Sequence, residues 1–154
     1  MNWHSVKFFQ KKEFQCRCGC NTHFEMDYQL ISALDWLREL MGVPFAVVSG
    51  FRCPEHNRKV GGASRSFHTT GQAADITVSR KSLLSLIYQV AIVSGKFNGI
   101  GVKESNFIHF DTGNRKVPYY YVYLPSGGYR QLNPDVLAKI QSETIEEHIK
   151  EYRV

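Results

Sequence analysis

The stretch Ser66-Phe-His-Thr-Thr-Gly-Gln-Ala-Ala-Asp75 decides how the rest of the chain is read. It sets one histidine, one glycine turn and one carboxylate in a run of otherwise small or apolar residues. A second stretch, Phe107-Ile-His-Phe-Asp111, is its natural partner. Alternate side chains of a strand share a face. Read as strands, the two stretches put Ser66 with His68, Ala73 with Asp75 and Thr77, and Phe107 with His109 and Asp111. Neighbouring strands lie ~4.8 Å apart, so three polar positions side by side would meet at one point.

His68, Asp75 and His109 are therefore candidate ligands of a single zinc ion. Two neutral imidazoles and one carboxylate leave a fourth position for water, which is the pattern of a catalytic rather than a structural site. Such an ion lowers the pKa of its water to roughly 7 and prepares it to attack a carbonyl. Each residue taken singly has a plainer reading. His109, between Ile108 and Phe110, suits a core histidine, and Asp75 suits a turn acceptor.

Outward from this centre, the apolar residues Tyr28, Leu30, Ile31, Leu34, Leu37 and Leu40 recur at helical spacing, with Asp27 as N-cap and Gly42 as stop. Residues 44–49 read as a short buried strand, and the Gly and Pro of Gly50-Phe-Arg-Cys-Pro54 mark the turn beyond it. Residues 55–60 form a helical turn, 66–68 a strand, 69–72 a turn and 73–78 the returning strand. A second helix runs over 79–93 with Ser79 as cap. Strands follow at 98–102 and 106–111 around a turn at 103–105, then an aromatic strand at 119–123, read as core plus one exposed edge. A last helix spans 134–152. Before residue 27 the pattern is an irregular arm with an extended piece at 13–16. The fold class is α+β, an antiparallel sheet carrying the metal site with helices packed on it, in one domain over 1–154. Its core spans about 12–113, and 114–154 extend it.

The chain has 154 residues with 43% hydrophobic content, enough for one ordinary domain core. It has no transmembrane run and no apolar leader at its start. The expectation is synthesis in the cytoplasm without a signal peptide, and a monomer. A net charge of +5 favours polyanionic surroundings without choosing among them. No Lys/Arg run exceeds two residues, which speaks against a nucleic-acid arm.

Three cysteines are packed as Cys16-Arg-Cys18-Gly-Cys20, and Cys53 lies far along the chain. On a strand the three would share a face. A structural zinc with Cys53 as fourth ligand, one or two disulfides, and reduced thiols all remain open, since C-x-C-x-C is not the common zinc spacing.

The combination Ser66-x-His68-x-x-Gly71-x-Ala73-x-Asp75, preceded by Ser49-Gly-Phe-Arg52 and followed by Ile108-His-Phe-Asp111, resembles the zinc D-Ala-D-Ala carboxypeptidase family of metallopeptidases. It is most similar to the short single-domain members of phages and prophages. The resemblance runs from about Lys12 to about Gly113 and includes the cysteine arm and Cys53-Pro-x-His-Asn57. It implies a hedgehog/D-Ala-D-Ala peptidase-like fold, with zinc held by His68, Asp75 and His109. It also implies cleavage of an amide bond next to a D-amino acid in peptidoglycan stem peptides, by a carboxypeptidase or an endopeptidase (endolysin). Action at the cell wall or periplasm after phage-type release follows from it. Arg52 matches an active-site arginine, whose planar fork suits a carboxylate or a polarised carbonyl oxygen. Ser66 would support the site by hydrogen bonding, and Gly71 would serve the turn. Relatives place an acid or histidine shortly before the last ligand. Three residues before His109 stands Asn106, which cannot take a proton, so Glu104 is the expected general base, with Asp111 as the alternative base or as a group orienting a ligand. The competing readings are a zinc-fold wall-binding module without catalysis and, more remotely, a nucleic-acid-associated zinc knuckle built on the cysteines.

Overall fold

The computed structural model describes residues 2–103 and 106–132. The helix expected over 134–152, and with it most of the 114–154 extension, lies outside the described residues. Glu104 lies outside them as well.

Helix α1, Tyr28–Met41, forms where the apolar spacing predicts it. Asp27 accepts a hydrogen bond from the Gln29 N–H (3.2 Å), which satisfies one of the donors a helix start leaves open, and Gly42 closes the far end. Leu30, Ile31, Leu34 and Leu37 are fully buried along one stripe. The arm before it is no loose appendage. Its backbone N–H groups at Lys7 and Phe8 donate to the Asp35 carboxylate of α1 at 2.9 and 2.8 Å, and Phe9, Phe14 and Cys16 are buried. The piece expected to be extended at 13–16 is a 3-10 turn, Lys11–Phe14, because the Glu13 carboxylate reaches back to the Gln10 N–H (2.7 Å) and curls the chain.

Six strands form one sheet in the order β1-β2-β4-β3-β5-β6. They are β1 Ala46–Ser49, β2 Ala73–Thr77, β3 Gly99–Lys103, β4 Phe107–Asp111, β5 Tyr119–Tyr123 and β6 Tyr129–Gln131. Neighbours are antiparallel except β3 and β5, which run parallel. Two expectations change here. Strand β1 alternates exposed with buried instead of being buried on both faces, because it is the edge of the sheet. Strand β5 is not an edge, since β6 covers its outer side.

Residues 66–68 are not a strand. Phe67–Thr70 form a 3-10 helix with Ser66 as its cap. The Thr69 and Thr70 hydroxyls donate back to the Ser66 and Phe67 carbonyls at 2.7 and 3.2 Å, and the Ser66 hydroxyl accepts from the His68 N–H (3.4 Å). Ser and Thr compete in this way with ladder bonding, and here the local bonds win over the alternation. Gly71 ends the turn at φ 71°, where a Cβ would also overlap the Glu25 carbonyl oxygen.

The second helix starts later than its expected Ser79 cap. A 3-10 turn at Lys81–Leu83 leads into α3, Leu84–Ser94, which lacks a side-chain cap. Lys81 instead reaches the Thr77 hydroxyl and the Asn106 carbonyl, tying this entry to the sheet. The short helix α2, Pro54–Lys59, opens on a proline, whose missing N–H costs nothing at a first helical position.

The period of two divides the sheet into two faces. Ala74, Ile76, Ile100, Val102, Ile108 and Phe110 are buried on one of them, in the same apolar cluster as residues of α1 and α3. The other face carries Asp75, His109 and Tyr119, Tyr121 and Tyr123 of β5, while Tyr120 joins the apolar side. The architecture is α+β with a mostly antiparallel sheet, and no helix among the described residues is long and apolar enough to cross a membrane.

Gly71→Ala combines a disfavoured φ with an overlap against fixed backbone. It is expected to cost on the order of 1–3 kcal/mol and to lower the melting temperature by several degrees. An unchanged thermal melt would contradict the close approach to Glu25.

Candidate metal centre and its cavity

A row of directly opposed residues crosses five strands: Ser49 faces Asp75, Asp75 faces His109, His109 faces Gly101, and Gly101 faces Tyr121. Strand pairing alone therefore brings Asp75 against His109. His68 reaches the same point from the 3-10 turn, not from a third neighbouring strand. The ligand-type atoms of His68, Asp75 and His109 lie within 4.8 Å of one another.

The hydrogen bonds fix which atoms converge. Nδ1 of His68 lies 2.7 Å from the Gly50 carbonyl oxygen, to which it must donate, so Nε2 is the nitrogen that faces inward. That Nε2 is 3.3 Å from Asp75 Oδ1 and 3.2 Å from His109 Nδ1. Nδ1 of His109 is 2.8 Å from Asp75 Oδ1, while its Nε2 lies 3.2 Å from Asp111 Oδ2. Each imidazole thus has an acceptor on its outer nitrogen and turns the other toward Asp75. Outer partners of this kind orient metal-binding histidines. The donor set of two nitrogens and a carboxylate oxygen fits a zinc ion.

The surroundings are charged and largely buried. Asp75 is 4% exposed. Burial pushes its carboxyl pKa up, but hydrogen bonds from His109 and His68, with their charge, outweigh that and hold it well below the usual carboxylate range. Burial pushes His109 down, yet its bonds to Asp111 and Asp75 raise it to about 9. Asp111 follows Asp75: burial raises it, and His109 and Arg115 bring it below the ordinary value.

Arg52 was expected to face substrate. Its Nη2 donates to Asp75 Oδ2 (2.7 Å) and its Nε to the Ser49 hydroxyl (2.8 Å), so one donor holds the carboxylate while the other anchors the guanidinium to β1. Ser66 caps the turn that carries His68. Asp111 is fully buried, accepts from the Gly113 N–H (3.1 Å) and pairs with Arg115, which places it behind His109.

A cavity of about 600 Å³ opens over this cluster. Its far wall is Tyr119, Tyr121 and Tyr123, one face of β5, joined by Tyr129 of β6. The Tyr121 ring lies over Gly101, where a Cβ would overlap it, and its centroid is 6.2 Å from that of His109. Burial above all drives the phenol pKa of Tyr121 far up, with Tyr123, Asp111 and Asp75 adding to it. Burial also raises Tyr123. Both hydroxyls remain protonated donors near neutral pH. Sequence reasoning left this wall aside. Its signal was the tyrosine at every second position from 119 to 123, set against a glycine in the neighbouring strand. Arg115 was missed as well, though it stands four residues after Asp111. Its guanidinium pairs with that carboxylate and lies 4.6 Å above the Phe67 ring.

The fold and cluster define an α+β protein with three convergent ligand-type side chains on the floor of an open cavity. Residues 7–111 match the model of the family described as Peptidase M15, and the chain belongs to that family. It is 32% identical over 109 residues to the Peptidoglycan L,D-endopeptidase MepK of Escherichia coli (strain K12), covering 59% of this chain and 59% of that protein. The proteins of that name from Escherichia coli O157:H7 and Shigella flexneri match to the same extent. The chain thus spans 59% of the length of these relatives.

Removing Arg115 leaves the Asp111 carboxylate buried without its counter-charge. Arg115 is itself 25% exposed, so Arg115→Ala is expected to cost about 2–3 kcal/mol, less than the ~3–5 of a fully buried pair. Arg115→Lys should recover only part, because it restores the charge but not the fork. Thermal or urea melts of the two variants check this, and equal stability of both with the wild type would contradict it.

Proposed function

We propose that this chain is a zinc metallopeptidase that hydrolyses an amide bond next to a D-amino acid in peptidoglycan stem peptides. The observation that carries the reading is the convergence of His68 Nε2, Asp75 Oδ1 and His109 Nδ1 within 4.8 Å beneath an open cavity. His68, Asp75 and His109 would hold the ion. Zinc, when bound, supplies a Lewis acid that acidifies water and polarises a carbonyl.

The chain's own residues divide the remaining work. Arg52 keeps Asp75 pointed, and Asp111 and the Gly50 carbonyl orient the two imidazoles. Glu104 takes the proton of the attacking water and returns it to the leaving amine. Tyr121 or Tyr123 donates its O–H to the carbonyl oxygen as negative charge develops there, the task of an oxyanion hole. The tyrosine wall also gives the peptide an apolar surface with polar tips.

An endopeptidase is favoured over a carboxypeptidase by the relatives, which carry the name L,D-endopeptidase. The net charge of +5 helps the protein approach an anionic wall. The fold of this activity would be the hedgehog/D-Ala-D-Ala peptidase type, with 1–154 as one domain acting at the cell wall as a monomer.

The test uses purified muropeptides, with cross-linked dimers and monomeric pentapeptides offered side by side. New amino termini from the dimer are expected, with little free D-Ala from the pentapeptide. The reverse outcome makes it a carboxypeptidase, and no cleavage of either leaves a wall-binding module. His68→Ala should abolish activity together with one equivalent of bound zinc. Glu104→Gln should keep that zinc and lower kcat by about 10²-fold or more. Tyr121→Phe should lower kcat by roughly 10²-fold with little change in KM; an unaffected kcat would remove Tyr121 from the reaction.

A further inference from the structure

The peptidase reading makes no use of the four cysteines, and the structure gathers them. Residues 16–20 are not a strand. The Gly19 N–H bonds the Cys16 carbonyl (3.4 Å) and turns the chain, while Arg17 clamps the turn to the sheet edge through the Val47 and Val48 carbonyls at 2.5 and 3.3 Å. Cys53 arrives from the loop after β1. All four Sγ atoms lie within 4.8 Å of one another, with Cys18 at 3.3 Å from Cys16 and 3.7 Å from Cys53.

We propose that Cys16, Cys18, Cys20 and Cys53 bind a structural zinc ion, separate from the histidine centre. Four thiolates at a Zn–S length of ~2.3 Å define a tetrahedron with edges of about 3.8 Å, close to the spacings found. Four protein ligands fill the coordination sphere, as in structural rather than catalytic sites. Two backbone N–H groups already point at the sulfurs, Cys53 N to Cys16 Sγ at 3.3 Å and His56 N to Cys53 Sγ at 3.4 Å. Such donors ease the negative charge of a tetrathiolate centre. Binding releases the thiol protons to solvent and involves no change of oxidation state.

The ion would fasten the N-terminal arm to the loop that serves the histidine centre. Cys53 directly follows Arg52, which holds Asp75 and whose N–H donates to the His68 carbonyl (3.0 Å). Two residues earlier, Gly50 holds the His68 ring. Farther up the arm, the Phe14 carbonyl accepts from the Phe51 N–H (2.7 Å). A crosslink between Cys53 and the arm thus closes the loop from both sides.

Full-length protein, purified reduced and without chelator, is expected to hold two zinc ions per chain by elemental analysis. His68→Ala should retain one, and the exposed pair Cys18→Ser/Cys20→Ser should also retain one. Exchange of the wild type into Co(II) should give thiolate charge-transfer absorption that survives His68→Ala. If the cysteine variant does not fold, titration of wild-type thiols with an organomercurial decides, with release of one zinc as four thiols react. One ion that disappears with His68→Ala and leaves no thiolate absorption would overturn the proposal. So would an intact mass lower by two hydrogens for each disulfide. One ion that persists in His68→Ala and departs with the mercurial supports the cysteine site and instead overturns the histidine one.

Discussion

A buried carboxylate sets the terms for this molecule. Asp75 sits in the second strand of the sheet order with 4% of its surface exposed, and an unpaired charge there would be very costly. Its partners come from three separate parts of the chain. Arg52 is brought by the loop after β1, His68 by the 3-10 turn and His109 by β4. The turn must be tight to aim His68, the loop must stay close to offer the Gly50 carbonyl, and β4 must pair with β2 in register. A slip of one residue in that pairing would move His109 to the apolar face and bring Ile108 or Phe110 in its place.

The same logic explains why one side of the sheet tolerates so many polar groups. Each is held by another. Asp111 lies behind His109, Arg115 neutralises Asp111 and lies on Phe67, and the Ser49 hydroxyl steadies Arg52. The opposite face is the ordinary one, with Ile76, Ile100, Ile108 and Phe110 sealed against the helices. The strands alternate between a conventional core and a charged, prearranged cavity, with a period of two.

Much of this was legible in the residues. Helix α1 announces itself through its stripe and caps, and β4 through Phe107-Ile-His-Phe-Asp111. The convergence of His68, Asp75 and His109 follows from the sequence although its stated geometry was partly wrong. Periodicity could not show that Ser66, Thr69 and Thr70 would bond their own backbone and make a turn of what reads as a strand. Nor could it show that Arg52 bonds Asp75, because that contact depends on how the loop after β1 lies against β2. The tyrosines of β5 were visible as a strand but not as a wall, since that depends on the parallel pairing with β3, and such long-range pairing leaves no local mark. The C-x-C-x-C spacing misleads for a related reason, as it supposes a strand where the chain turns.

That parallel pairing has one more implication. The segment that matches the family ends at Asp111, while β5 and β6 follow at residues 119–131. The strands that bear His109 and Asp75 and the wall facing them are therefore contributed by consecutive, non-overlapping lengths of chain. Strand β5 docks onto β3 by backbone bonds, and a close side-chain fit across that ladder is the Tyr121 ring over Gly101. The polar cluster and the wall that faces it are thus written in different parts of the sequence.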